Sequence, residues 1–537
     1  MEIDRVPQLP WIDLAVVAVY LAAILVIGVA CARRSRTTEE FMAAGRSLPG
    51  WAVGLSIFGT FLSSNTFLGV PGKAFAGNWN GWVFSLTLPL AAWIAIRWFV
   101  PFYRSGTALS AYEHLERRFG PWARVYVALC YLATQIARCG TILVGVALAA
   151  APLTGLSPAT IVVIAGVVVT FYTVLGGIEA VIWTDVVQAI VLGAGALLLL
   201  ATILFGLPDG IGSFLPTAGR AGKLSLGAWT LSPFAPTVPV MIAYGTFINL
   251  TNFGIDQSYV QRYLTARDDR DARRSVWIGA LLYVPISLVF FVVGTGLWVL
   301  DRQDPTAFAP LKIAVAAETT NSATPIDPVT VDSNRIADRA LPDYLVRRLP
   351  VGVTGLLIAA IIAAAMSSVD TSLNSSATVI HEDLYRRFVD RRVSERTSMR
   401  VLHLATAAVG SVGTLAALAM LGAGKGLLDT WWQWSGIFAG GMLGLFLLGM
   451  LVRRAGSFAA LIGTAVGTLA IAWASFRDAA IIPSALRNHL DGNLTIVVGT
   501  LTIFAVGVFV SRLAPHRPSE TIGDDRVGQA ADAEPRA

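Results

Sequence analysis

Residues Ala363 to Ser376 read AAAMSSVDTSLNSS, a run of hydroxyls, one acid and one amide inside a segment otherwise apolar enough for lipid. At helical spacing Ser367, Asp370, Thr371 and Asn374 fall on one face. An aspartate at the centre of a membrane helix costs about 2.5–3.5 kcal/mol on insertion scales, so this face must look into protein, water or a bound ion. Such a face marks a transport site by default.

Working outward, the composition sets the class. The 537 residues are 55% hydrophobic and only 14% charged, with a mean hydropathy of +0.65, far more apolar surface than a soluble core can hide. The chain is therefore read as a polytopic membrane protein. Its net charge of +6 sits mostly in short runs flanking apolar segments, where basic residues set orientation, so nucleic-acid binding is excluded as a reading. Cys31, Cys130 and Cys139 lie inside apolar segments without the paired spacing of a metal or disulfide framework.

Segments long enough to span fall near 11–32, 48–71, 81–102, 122–151, 157–176, 180–206, 237–264, 275–300, 345–380, 398–421, 430–452, 457–476 and 493–512, thirteen in all. Arg33, Arg34 and Arg36 after the first segment put the N-terminus outside. Alternating from there, Arg104, Arg117 and Arg118, then Arg267, Arg270, Arg273 and Arg274, then Arg386, Arg387, Arg391 and Arg392, then Arg453 and Arg454 all fall on the inner side. The stretch from Asp301 to Asp343, rich in Asp, Thr, Ala and Pro, reads as a mobile or disordered external loop. The C-terminal tail is polar and too short for a folded domain.

Two spans look interrupted. The second carries Gly54, Ser56, Gly59, Thr60, Ser63, Ser64, Asn65, Thr66 and Gly69 before Pro71; the seventh carries Gly245, Thr246, Asn249, Thr251, Asn252 and Gly254. Free carbonyls at a broken helix can coordinate a cation, although Gly, Ser and Thr also serve tight helix packing. The two interrupted spans lie five apart, the arrangement an inverted repeat of five plus five helices produces.

These residues resemble the sodium:solute symporter family, whose members include sodium/glucose, sodium/proline and bacterial sialic acid carriers. The resemblance runs from about Phe41 to Val452 and rests on FMAAGRSLPGWAVGLS, on YTVLGGIEAVIWTDVVQ (Tyr172–Gln188), on DQSYVQRYLTA (Asp256–Ala266) and on LPVGVTGLLIAAIIAAAMSSVDTSLNS (Leu349–Ser375). It implies an all-α membrane protein of LeuT-like fold. Residues 1–47 would form an extra helix and cytoplasmic loop, and 48–452 a ten-helix core with repeats at about 48–206 and 237–452. Residues 453–512 would form two further helices and 513–537 a polar cytoplasmic tail.

The resemblance implies that the coupling ion is sodium. The family's common sodium site would comprise the backbone carbonyls of Gly59, Leu62 and Ala364 and the hydroxyls of Ser367 and Ser368. Asp185, with Asp370 and Thr371, matches a second sodium site of some members. Asp370 replaces the Ser or Thr of several relatives, so that both acids bind cations or one of them holds a proton. The alternatives are serines bonded back to their own helix and, for Asp185, a capping acid near the inner membrane face.

Arg138, mid-span in LATQIARCGTILVG, must find a partner inside the protein. The resemblance to sialic acid carriers makes it a grip for a substrate carboxylate, for which a two-pronged guanidinium is suited; the alternative is an ion pair with Asp370 or Asp185. Ser63, Thr66 and Asn249 match substrate-facing positions of the family. Phe61 and Ser85 replace polar groups of relatives that bind sugars or sialic acid. Asn252 and Phe253 stand where sugar carriers place a gating tyrosine and a tryptophan.

The expected function is a sodium-coupled symporter in a bacterial inner membrane, importing a small organic solute, an organic anion such as sialic acid before a sugar, by alternating access. Its surroundings would be the bilayer, with no obligatory protein partner. A proton-coupled carrier of the same fold is one alternative. A non-transporting sensor is another, disfavoured by the short tail. An enzyme is disfavoured because His114, His381 and His403 form no metal or nucleophile motif with the acids.

Overall fold

A computed structural model describes residues 10–106, 109–319, 331–350, 352–421, 427–475 and 487–513. The polar tail and the 320–330 part of the long loop lie outside the described residues. Nine of the described helices are long and apolar enough to cross a bilayer unaided, and two more crossings are bent pairs. The helix Pro158–Phe205 has 48 residues, roughly 70 Å at 1.5 Å per residue and so more than twice the hydrocarbon thickness. Gly177, with φ 59° and ψ −169°, breaks it into two spans. Leu427–Leu451 supplies one more, and counted this way the described helices make thirteen crossings.

Both bent pairs turn by 50°. The first joins Gly50–Phe61 to Ser64–Ala76, and the turn is made by Leu62 in extended conformation (φ −91°, ψ 104°) rather than by a glycine or proline. Ser63 and Thr66 then form a reciprocal capping box that starts the second half. The other pair joins Val238–Gly254 to Gln257–Thr265, with Asp256 capping the second half through its bond from the Ser258 amide, 2.8 Å.

The glycines of these helices serve packing instead. A Cβ on Gly54 would stand 2.7 Å from Ile278 Cβ, and one on Gly254 would stand 2.8 Å from the Phe99 ring, so each lets a neighbouring helix approach closely. A parallel bridge ties the two breaks' surroundings together: Leu48 N–H donates to the Thr265 carbonyl (3.1 Å) and Arg267 N–H to the Leu48 carbonyl (3.1 Å).

The first helix, Trp11–Ala32, faces lipid over most of its surface but buries Asp13. Asp13 Oδ1 accepts from the amides of Gly352 (2.8 Å) and Gly355 (2.6 Å) at the N-terminus of the serine-bearing helix Val353–Val379. The described parts of the long loop include two helices, Ala309–Thr319 and Ala337–Arg347. Ala337, Ala340, Leu341, Tyr344 and Leu345 are buried at i, i+3, i+4, i+7 and i+8, a helical stripe inside the polar composition. Lys312 pairs with Asp301 at 2.8 Å, both side chains buried.

Candidate functional site

The serine-bearing helix crosses the first break. Ser367 Oγ lies 3.2 Å from the Ala364 carbonyl on its own helix and 3.3 Å from the Gly59 carbonyl on the broken one. Ser368 Oγ, fully buried, has no hydrogen-bond partner among the described residues. In a continuous helix the Thr66 amide would bond the Leu62 carbonyl; here it bonds the Ser63 hydroxyl at 3.4 Å instead. The Ser367 hydroxyl and the carbonyls of Gly59 and Ala364, all neutral oxygens, therefore meet beside the helix break, where the Gly59 carbonyl also accepts from the Leu62 amide at 3.1 Å.

Asp185 stands beside this cluster. A Cβ on Gly59 would lie 3.8 Å from the Asp185 carbonyl oxygen and 3.9 Å from Ser367 Cβ, so the three backbones meet there. The Asp185 side chain is fully buried, which speaks against the alternative of an interfacial capping acid. Its Oδ2 accepts from Arg262 Nη2 (2.9 Å) and Ser56 Oγ (2.5 Å), and Ser56 in turn accepts from Arg262 Nε (2.7 Å). Its Oδ1 has no hydrogen-bond partner among the described residues. Arg262, not Arg138, is thus the cation that balances Asp185.

Arg262 also donates to Thr371 Oγ1, whose hydroxyl donates to the Ser367 carbonyl at 2.5 Å. The Thr371 amide donates to Asp370 Oδ1 (2.6 Å), and Tyr172 O–H donates to Asp370 Oδ2 (2.9 Å). A chain of bonds accordingly runs from Asp185 through Arg262 and Thr371 to Asp370. The Thr371 hydroxyl has its proton and one lone pair engaged, leaving less to offer an ion than its sequence position suggests.

Next to this network lies a cavity enclosing about 1050 Å³ of empty space including its mouth. Both helix breaks reach it, through Thr60, Phe61, Ser63 and Thr66 on one side and Thr251, Asn252 and Asp256 on the other. Arg138 enters from Pro121–Thr154, is 6% exposed, and donates Nη2 to the Thr60 carbonyl at 2.6 Å. Ser85 also lines the cavity. Phe61 packs against Phe253, Tyr259 and Tyr283 with ring centroids 5.8, 4.8 and 5.3 Å apart.

Asn249, expected to face the substrate, and Phe253, at the expected gate, do not line the cavity. Asn249 is fully buried but turned from the cavity, donating Nδ2 to Thr87 Oγ1 (3.0 Å) and the Phe84 carbonyl (3.3 Å); Ile248, Thr251 and Asn252 line the wall on its helix. Phe253 lies behind Phe61 and Tyr259 rather than on the surface of the cavity. Sequence reasoning missed Arg262, Ser56, Asp256, Tyr259 and Tyr283 as site residues. A cation and an acid within the signature Asp256–Ala266 were visible signals, but their partners lie in other helices.

Broken, carbonyl-bearing helices around a buried polar cavity define a secondary transporter of LeuT-like fold. A family model described as the sodium:solute symporter family matches residues 41–467, and the chain belongs to that family. The sodium/sialic acid symporter SiaT of Proteus mirabilis is 33% identical over 522 residues, covering 97% of this chain and 98% of that protein. The human sodium-coupled monocarboxylate transporter 1 is 30% identical over 470 residues, 85% of this chain and 72% of that protein. A solved structure of a Na+-coupled sialic acid symporter, in a substrate-bound outward-open state, superposes with a TM-score of 0.82 at 30% identity, covering 94% of this chain and 98% of that one. The protein is a multi-pass, sodium-coupled symporter of a small organic solute, and the comparisons do not favour the proton-coupled, sensor or enzyme readings.

Proposed function

We propose that this symporter imports sialic acid or a related organic acid across a bacterial inner membrane, with Arg138 on the substrate carboxylate. Sodium would sit among the carbonyls of Gly59, Leu62 and Ala364 and the hydroxyls of Ser367 and Ser368. Asp185 Oδ1 and Asp370 would supply anionic charge for a second ion. Ser63, Thr66, Phe61 and Ser85 would face the substrate.

The observation that carries this reading is the bond from Arg138 to the Thr60 carbonyl, one residue from Gly59, whose carbonyl meets Ser367. Ion and substrate thereby act on adjacent peptide units of one broken helix. Ordering that segment by either ligand favours the other, and the two affinities rise together. The membrane potential adds about 2.3 kcal/mol per charge per 100 mV to the inward sodium step.

The orientation, N-terminus outside and C-terminus inside, is supported by the basic loops meeting at one end of the bundle. There Arg104 pairs with Asp269, Arg118 donates to the Val452 carbonyl and Arg387 pairs with Glu116.

The test is uptake of N-acetylneuraminate into proteoliposomes. The wild-type protein should accumulate it with a sodium gradient and not with potassium, and Arg138→Ala should abolish accumulation. Uptake retained in Arg138→Ala would refute the carboxylate grip, and absence of sodium-dependent uptake in the wild type would refute the substrate.

A further inference from the structure

Resting on that reading of Arg138, we infer that Asp256 is a specificity-determining residue that requires a hydrogen-bond donor on the substrate and rejects a second carboxylate. Arg138 and Asp256 are the one basic and the one acidic side chain among the described residues that line the cavity. Asp256 sits at the break of the second bent pair and is 7% exposed. Its Oδ1 is engaged, accepting from the Ser258 amide (2.8 Å) and hydroxyl (2.5 Å). Its Oδ2 accepts no bond from the described protein, and no arginine or lysine among the described residues forms an ion pair with it. Capping engages one oxygen of this carboxylate and leaves the other without a bond from the described residues, on a side chain that lines the cavity.

Asp256 caps the N-terminus of the helix Gln257–Thr265, a place where negative charge is favoured. The cavity therefore presents a fixed positive group and a fixed negative one, on different helices. A ligand carboxylate is drawn to Arg138. A hydroxyl, amide N–H or ammonium elsewhere on the same ligand can donate to Asp256 Oδ2, whereas an alkyl chain leaves that oxygen desolvated and a second carboxylate meets it as a like charge. The class selected is an organic acid carrying hydroxyl or amine groups, over plain monocarboxylates and dicarboxylates.

The experiment measures sodium-dependent thermal stabilisation of the purified full-length protein by N-acetylneuraminate, propionate and succinate, in the wild type, Asp256→Asn and Arg138→Lys. Asn caps a helix nearly as well as Asp, so Asp256→Asn should keep the unliganded melting temperature. Its apparent affinity for N-acetylneuraminate should fall about tenfold, the scale of a hydrogen bond to a charged group. Its affinity for propionate should hold and succinate should become a ligand. Unchanged affinities for all three, or an equal loss for N-acetylneuraminate and propionate, would overturn the role of Asp256. So would a wild type that prefers propionate or succinate. Arg138→Lys should weaken every carboxylate; if it weakens none, the carboxylate grip itself fails, a result separate from the Asp256 outcome.

Discussion

Arg262 Nη2 stands 2.9 Å from Asp185 Oδ2, with 1% and 0% of the two side chains exposed, so an ion pair is buried inside the helix bundle. Ser56 bonds both partners and Thr371 takes a further bond from the guanidinium, so the pair ties the first broken helix, the Pro158–Phe205 helix, the second broken helix and the serine-bearing helix together. Removing one partner of such a pair leaves an uncompensated buried charge. Arg262→Ala should lower stability by about 3–5 kcal/mol. The double variant Asp185→Asn/Arg262→Ala should recover part of that loss, checked by denaturant unfolding in detergent.

Ser368→Ala and Ser367→Ala should separate folding from ion binding. The Ser368 hydroxyl is buried without a partner, and removing an unsatisfied buried group relieves a penalty of about 1–3 kcal/mol. Without sodium, Ser368→Ala is expected to melt at or above the wild-type temperature, yet to need far more sodium for half-maximal uptake. Ser367 bonds the carbonyls of Ala364 and Gly59, so Ser367→Ala should lose both stability and sodium activation. Equal sodium activation in Ser368→Ala and wild type would remove Ser368 from the ion site.

Asp13 joins the first helix to the start of the helix that carries the serines. Its carboxylate takes two amide protons at a helix N-terminus, where negative charge is favoured. Asp13→Ala should destabilise the protein by about 1–3 kcal/mol, with Asp13→Asn retaining part because the amide oxygen still accepts. Melting curves of the two variants without ligand provide the comparison.

Glu116, on the short helix Glu113–Phe119 outside the spans, lies between Arg124, at 2.8 Å, and Arg387. Partial burial pushes its carboxyl up, but the two guanidiniums outweigh that and hold it below the usual glutamate value. A depressed folded value stabilises the protein above the unfolded glutamate pKa and loses that contribution as pH falls through the folded one. Glu116→Gln should therefore melt lower than wild type at pH 7, with the gap closing below about pH 4. A gap independent of pH would show that the contribution is not ionic.

Some of this was readable along the chain and some was not, for identifiable reasons. The polar face of Ala363–Ser376 stands out because an acid and several hydroxyls in an apolar run are a local signal. The breaks were placed from glycines and amides, yet Leu62 and Ile255–Asp256 make the turns while Gly54 and Gly254 let neighbouring helices approach. The stripe from Ala337 to Leu345 was present in the sequence and was hidden by its polar surroundings. Asn249 looked like a substrate contact, but on a helix packed on several sides polarity alone does not say which way a side chain turns.

The sequence by itself determined the solvent, the number of crossings, the two interrupted spans and the family, since each depends on residue type within a short window or on a motif. Only the tertiary structure decided that Arg262 rather than Arg138 answers Asp185, 77 residues away, that Asp13 caps a helix more than 330 residues on, and that Arg138 and Asp256 share one cavity. Charge pairing inside a membrane depends on distances of a few ångströms between helices, and those distances are set by how the whole bundle packs.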